Sequence, residues 1–257
     1  MTNKTPEQIV KEYRLKFALT VVLYILAVAG LIFLMSINLI SPRIGIVFLA
    51  YFIRTPFEKL REKYIESVLY EDLDPEKFEK ILSLGVGKKN ARYKMLVYMA
   101  KGNHDAILEG VAKEEEKARH PVDKCNCLYR KGYVYFERGE YDKLIDVFKK
   151  YEKLKADNPR FVYILNNFSV FEKFDAFSDE DYEYVVDVCN IDLKELNPKK
   201  QNHKLTKINV SFYRAVSLYK LGKYEEAKQG FEDIISFAPN MYKAKLSKEF
   251  IDLIENR

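Results

Sequence analysis

RKGYVYFERGEYDKLIDVFKKY, residues 130–151, and RAVSLYKLGKYEEAKQGFEDII, residues 214–235, carry one pattern twice without a gap. In each, a small residue (Gly132, Ala215) is followed three positions later by Tyr135 or Leu218. A glycine (Gly139, Gly222), a tyrosine (Tyr141, Tyr224) and a phenylalanine (Phe148, Phe231) then come at matched distances. The small residue lets two antiparallel helices approach, the glycine supplies the turn that ends the first helix, and the rings fill the space between them. Each stretch therefore predicts a helical hairpin. One hairpin cannot bury its apolar face alone, so such units stack and complete each other's core. The fold class expected is all-α.

Upstream, NARYKMLVYMAKGNHDAILEGV (90–111) holds Tyr98 and Gly102 at the same offset, with His104 in place of tyrosine, and predicts a weaker copy. Before it, Asp74 and Pro75 start a helix that holds Phe78, Ile81 and Leu82 and closes at Gly85 or Gly87. Gly139 and Gly222 are 83 residues apart, so the stretch between them is a degenerate copy or carries extra helix. In that stretch Ser178, with Asp179, Glu180 and Asp181 behind it, predicts a helix start running to Cys189, since acidic groups suit the positive helix end. MYKAKLSKEFIDLIENR (241–257) reads as a capping helix whose lysines and glutamates give the polar outer face a solenoid end requires.

These residues resemble the tetratricopeptide repeat, a unit of 34 residues, over Cys125–Asn158 and Ile208–Met241, with the weaker copy at 88–121. The unit at 208–241 has Ala215, Leu218, Gly222, Tyr224, Ala227, Phe231 and Pro239 at the family's positions. The unit at 125–158 puts Leu144 where the family prefers alanine and shifts its proline to Pro159. The family's tryptophan is replaced by Leu128 and Ser211. The resemblance implies an α-solenoid that binds a protein or peptide on its concave face. Carried over position by position, the groove residues are Asn126, Tyr129, Tyr133, Phe136, Asn209, Phe212, Val216, Tyr219 and Lys220. The alternative is that several of these pack against the middle helices or the capping helix. The family's clamp for an acidic chaperone tail is not expected, because Arg92 fits one of its positions but Leu96 occupies the next.

At the other end of the chain, FALTVVLYILAVAGLIFL (17–34) is free of charge and as a helix covers about 27 Å, enough to cross a bilayer. No small-x-small cleavage site follows it before Asn38, so an anchor is expected over a cleaved signal. IGIVFLAYFI (44–53), after Ser41 and Pro42, is a second apolar helix start. It covers only about 15 Å, so a second span needs snorkelling by Arg43 and Arg54 or a thinned bilayer; an interfacial or re-entrant segment is the alternative. Lys4, Lys11, Arg14 and Lys16 precede the first span, Arg43 alone lies between, and Arg54, Lys59, Arg61 and Lys63 follow. By the positive-inside rule this favours a transmembrane hairpin with both flanks cytoplasmic, whereas a single span predicts the opposite side for the repeats. The expected organisation is a basic N-terminus (1–16), membrane segments (17–55), a juxtamembrane linker helix (56–73) and the repeat domain (74–257).

The composition agrees with helices, with 32% charged residues but only 10 glycines and 8 prolines among 257. The net charge of +5 comes from interspersed groups, so no basic stripe exists to follow nucleic acid. Three cysteines do not make a secreted disulfide framework. On a helix Cys125 and Cys127 stand about 200° apart, so with His120 they do not make a metal site and read as structural thiols. Gly85-Val86-Gly87-Lys88-Lys89 lacks the earlier glycine and the hydroxyl of a phosphate loop and reads as a turn. No catalytic constellation stands out, and no cofactor is expected. The expected function is a non-enzymatic scaffold in the membrane, that of the cell being favoured, contacting lipid and binding a protein partner. A structural component with a self-filled groove or self-association is the second reading. An enzyme of unrecognised type, motivated by the stretch between the repeats, is the third.

Overall fold

The computed structural model describes residues 4–37, 39–41, 43, 56–87, 90–165 and 170–257. Among these the regular elements are all helical, and they group into two units, residues 1–90 and 91–257.

The first unit opens with α1, Pro6–Ser36. Its start is fixed by a capping box: the Thr5 hydroxyl accepts from the Gln8 amide at 3.3 Å and the Gln8 side chain accepts from the Thr5 amide at 2.9 Å, with Pro6 in the first turn. The first turns are amphipathic and bury Ile9 and Val10. Beyond Phe17 the apolar side chains are exposed or half-buried, and the most apolar 18-residue window has no buried residue. This helix is long and apolar enough to cross a membrane. The second apolar segment, Ile44–Ile53, lies outside the described residues.

Helix α2 covers residues 56–70 and contains a π-helical turn, Glu62–Glu66, before closing as α-helix at Ser67–Tyr70. Helix α3, Pro75–Ser83, starts at Asp74, whose Oδ1 accepts from the Lys77 amide at 2.9 Å, and it ends before Gly85 at φ +98°. Helices α2 and α3 pack on the start of α1 and bury Tyr64, Ile65, Val68, Leu69, Phe78 and Ile81. Arg14 donates to the Leu84 carbonyl at 2.7 Å, the Tyr64 hydroxyl to Glu12 at 3.3 Å, and Lys80 pairs with Glu7 at 3.0 Å.

The second unit is a row of helical hairpins: α4 (Ala91–Lys101) with α5 (His104–Glu115), α6 (Pro121–Glu137) with α7 (Tyr141–Asp157), α8 (Val170–Ser178) with α9 (Tyr182–Lys194), and α10 (His203–Lys220) with α11 (Tyr224–Phe237). A last helix, α12 (Tyr242–Glu255), packs on α11 as the expected cap. The turns of three hairpins are one motif. Gly102, Gly139 and Gly222 sit at φ +68°, +67° and +74°, and the amide after each bonds back to the helix: Asn103 to Tyr98 O at 2.8 Å, Glu140 to Tyr135 O at 2.9 Å, Lys223 to Leu218 O at 3.0 Å. The α8–α9 turn repeats this geometry without glycine. Glu180 stands at φ +61° and the Asp181 amide bonds to Ala176 O at 2.8 Å.

The helix expected to start at Ser178 starts instead after Asp181, whose carboxylate accepts from the Tyr184 amide at 3.1 Å. Ser178 ends the preceding helix and its hydroxyl donates back to Phe174 O at 2.7 Å. His120 is likewise a helix cap, its Nδ1 accepting from the Val122 amide at 3.3 Å.

Candidate protein-binding face of the repeats

The groove residues named from the sequence lie on α6 and α10, and burial divides them. Asn126, Tyr129, Asn209 and Tyr219 are half-buried and Lys220 is exposed. Tyr133, Phe136, Phe212 and Val216 are buried. Burial, with the nearby Glu137 charge, pushes the Tyr129 hydroxyl up to about 12.

Two parts of the unit cover the buried set. Helix α8 lies against α6: a Cβ added at Gly132 would stand 2.6 Å from the Phe174 ring, so this small residue admits a ring of α8 as well as its hairpin partner, Val147. Phe136 meets Phe177 at 4.8 Å and Tyr213 at 4.7 Å between ring centroids, both edge-on. Helix α12 supplies the rest. Phe250 packs on Phe212, Tyr219 and Phe231 at 6.1, 5.3 and 4.9 Å, and Arg257 lies over the Tyr219 ring at 4.9 Å. Tyr133, Phe136 and Phe212 thus pack against side chains of α8, α10 and α12, and Val216 is buried.

At the centre of this packing is a charged cluster that the sequence did not announce. The Glu137 side chain is 0% exposed; its Oε1 accepts from Lys243 Nζ at 2.5 Å and its Oε2 meets His104 Nε2 at 2.8 Å. Arg138 Nε donates to His104 Nδ1 at 3.4 Å, so the network is satisfied when the imidazole Nε2–H donates a hydrogen bond to Glu137. The Lys243 ammonium also sits over the rings of Phe212, Tyr133 and Tyr213 at 4.4, 4.8 and 5.5 Å. Burial drives the Glu137 carboxyl upward, but the Lys243 charge and the hydrogen bonds from His104, Lys243 and Tyr133 outweigh it and hold it below the usual range. Lys243 was expected on the polar outer face of the cap. It points inward because α12 begins beside the α4–α5 turn, where Tyr242 stacks edge-on to His104 at 5.4 Å and closes over Gly102.

Cys125 and Cys127 are buried free thiols, and burial pushes Cys125 up to about 12. Cys127 joins Met95, Ile107, Val111 and Val134 in the core shared by the first two hairpins. No metal-binding group of side chains occurs among the described residues. Between α7 and the α8–α9 hairpin, a cleft of about 310 Å³ is lined by Glu152, Lys155, Glu172, Asp175, Asp179 and Asp181. Burial, then Asp179 and Glu152, raises the Asp175 carboxyl. Among the described residues no histidine, cysteine or serine lines this cleft.

A tetratricopeptide-repeat family model matches residues 210–240, which is most of α10 and all of α11. The RNA polymerase II-associated protein 3 of Homo sapiens is 26% identical over 141 residues, 55% of this chain and 19% of that protein. No solved structure matches.

Proposed function

This chain carries tetratricopeptide repeats, and from that premise we propose that it is a non-enzymatic scaffold that binds a protein partner and is held at a membrane by α1. The observation that carries the binding role is the part of the inner face where Asn126, Tyr129, Asn209, Tyr219 and Lys220 keep accessible surface beside a filled core. The partner contacts these five residues, while the buried four serve to position them. On the full chain in detergent, Tyr129→Ala combined with Lys220→Glu should lose crosslinks to a partner that wild type retains. An unchanged crosslink set would remove the inner face from consideration.

The membrane role rests on the exposed apolar length of α1, and its topology on the contacts at the helix's start. Ile9 and Val10 are buried and Glu7, Glu12 and Arg14 bond to residues 64–84, so the beginning of α1 is built into a folded unit, which supports a retained anchor over a cleaved signal. Phe57 also stacks beside Phe17, with ring centroids 5.2 Å apart. If α1 crosses a bilayer, Phe57 lies at the end of the span at which α1 enters it. The repeats then share a side with Lys4, Lys11, Arg14 and Lys16, which the positive-inside rule assigns to the cytoplasm. A reporter fused after Arg257 should be active in the cytoplasm; activity only outside would overturn this topology.

The second reading is a structural component whose groove is occupied by its own chain, alone or as a self-associated assembly. Burial of Tyr133, Phe136, Phe212 and Val216 favours it. It predicts that the Tyr129 and Lys220 changes leave every crosslink in place while the chain remains in a membrane complex of unchanged size.

A further inference from the structure

Helix α10 has a second polar face, turned about 180° from the inner one: at 100° per residue His203, Lys207, Ser211 and Arg214 form a stripe opposite Asn209, Phe212, Val216 and Tyr219. Two cavities of about 490 and 480 Å³ lie along this stripe and share Lys207, Ser211 and Asp233. Their origin is legible at one position. Ser211 stands where the family carries tryptophan, so the space an indole would fill between α10 and α11 is open.

The lining is chemically one-sided. Asp233 is the single carboxylate on either cavity wall, against Lys207, Arg214 and His203. Arg214 donates through Nε to Asn190 Oδ1 at 2.8 Å, which holds the guanidinium in place, and among the described residues it meets no carboxylate. Lys207 also has no ion-pair partner among them; its ammonium lies 4.6 Å from the Phe237 ring centroid. His203 donates from Nδ1 to the Lys200 carbonyl at 2.9 Å, which leaves Nε2 for another contact. Leu193, Leu196 and Pro198 give the same cleft an apolar floor. Arg214 and Lys207 thus bring to this wall two positive charges that form no ion pair among the described residues.

We propose that this cleft binds an acidic, apolar-containing segment of a protein partner, with carboxylates on Arg214 and Lys207 and an apolar side chain on Leu193 and Leu196. Positions 207 and 214 are about 10 Å apart along the helix, close to the roughly 9 Å between carboxylates three residues apart on a polyproline-II chain, where every third side chain shares a face. A guanidinium fixed through Nε presents its remaining donors as a fork suited to a carboxylate. The site is separate from the inner face, so either can fail its test without the other.

The probe is a fluorescein-labelled peptide of repeated Glu-Leu-Ala, titrated by anisotropy into the full chain in detergent, with repeated Gln-Leu-Ala as control. Wild type should bind the acidic peptide saturably and the control at least tenfold more weakly. Arg214→Gln should weaken binding about tenfold, the loss of one charge-assisted bond. Ser211→Trp, which fills the cavity with the family's own residue, should abolish it while the helical circular dichroism is retained. Equal binding of both peptides, wild-type affinity in Arg214→Gln and Ser211→Trp, or full displacement by inorganic phosphate at constant ionic strength would each overturn the proposal.

Discussion

The hairpins α8–α9 and α10–α11 have the same turn, the same antiparallel pairing and the same use of buried phenylalanines, yet only the second reads as a repeat. In α10–α11 the turn residue is Gly222 at φ +74°; in α8–α9 it is Glu180 at φ +61°. A left-handed conformation costs a residue with a Cβ about 1 kcal/mol, so the turn is adopted in α8–α9 because packing on both sides enforces it. One hairpin is specified locally and the other by its neighbours. Residue spacing agrees: Gly139, Glu180 and Gly222 mark nearly even steps along the chain, so the separation of the two clear repeats contains a third hairpin that lacks the signature.

The largest test of this difference is core truncation. Phe174→Ala removes a fully buried ring that packs on Gly132, Phe136 and Phe171, and Phe231→Ala removes a fully buried ring of α11. Both should cost about 3–5 kcal/mol in denaturant titrations of the full chain. A loss below about 1 kcal/mol at Phe174 alone would mean that α8–α9 is not packed as a repeat.

Exchanging the turn residues comes next. Gly222→Ala should destabilise by about 1 kcal/mol and Glu180→Gly should stabilise by up to about the same, read as opposite shifts in melting temperature. If Glu180→Gly is destabilising, the side chain contributes something that its turn geometry does not explain.

The smallest effect is in alkali, and only one of the two hairpins carries it through a thiol. Cys189 of α9 is buried and its thiol is pushed up from 9.0 to about 12 by burial. Its neutral form is the one the fold accommodates. The contribution is therefore complete below the unfolded value and is lost as pH rises toward the folded one, from about 9 to about 12. Cys189→Ala should narrow the difference in unfolding midpoint between about pH 8 and about pH 10.5. An unchanged difference would assign the alkaline loss to the buried tyrosines, of which Tyr213 is held well above its ordinary value.

What was legible in the chain follows the same division. Gly102, Gly139 and Gly222 announce their turns because only glycine adopts that backbone without strain, and Asp74 announces α3 through its cap. Glu180 hid a hairpin, and Ser178 misplaced a helix start by offering a capping residue three positions early. The groove candidates lie on helices α6 and α10, but the packing of Tyr133, Phe136 and Phe212 involves Phe174, Phe177 and Lys243, which are distant in sequence. The acidic-peptide cleft was visible as a substitution, Ser211 for tryptophan. Its charge emerged only once Lys207, Arg214 and Asn190 were brought to one wall.

The Glu137–Lys243 contact joins residues 106 positions apart, and it changes what kind of polymer the repeat unit is. A linear array of hairpins gains stability one neighbour at a time and can fray from its ends. Here the last helix returns to the first hairpin, so Glu137 and His104 lack their third member until α12 has left the ribosome. Folding of this unit is therefore cooperative around its far end: loss of α12 uncovers a buried carboxylate in α6 and unsettles three hairpins at once.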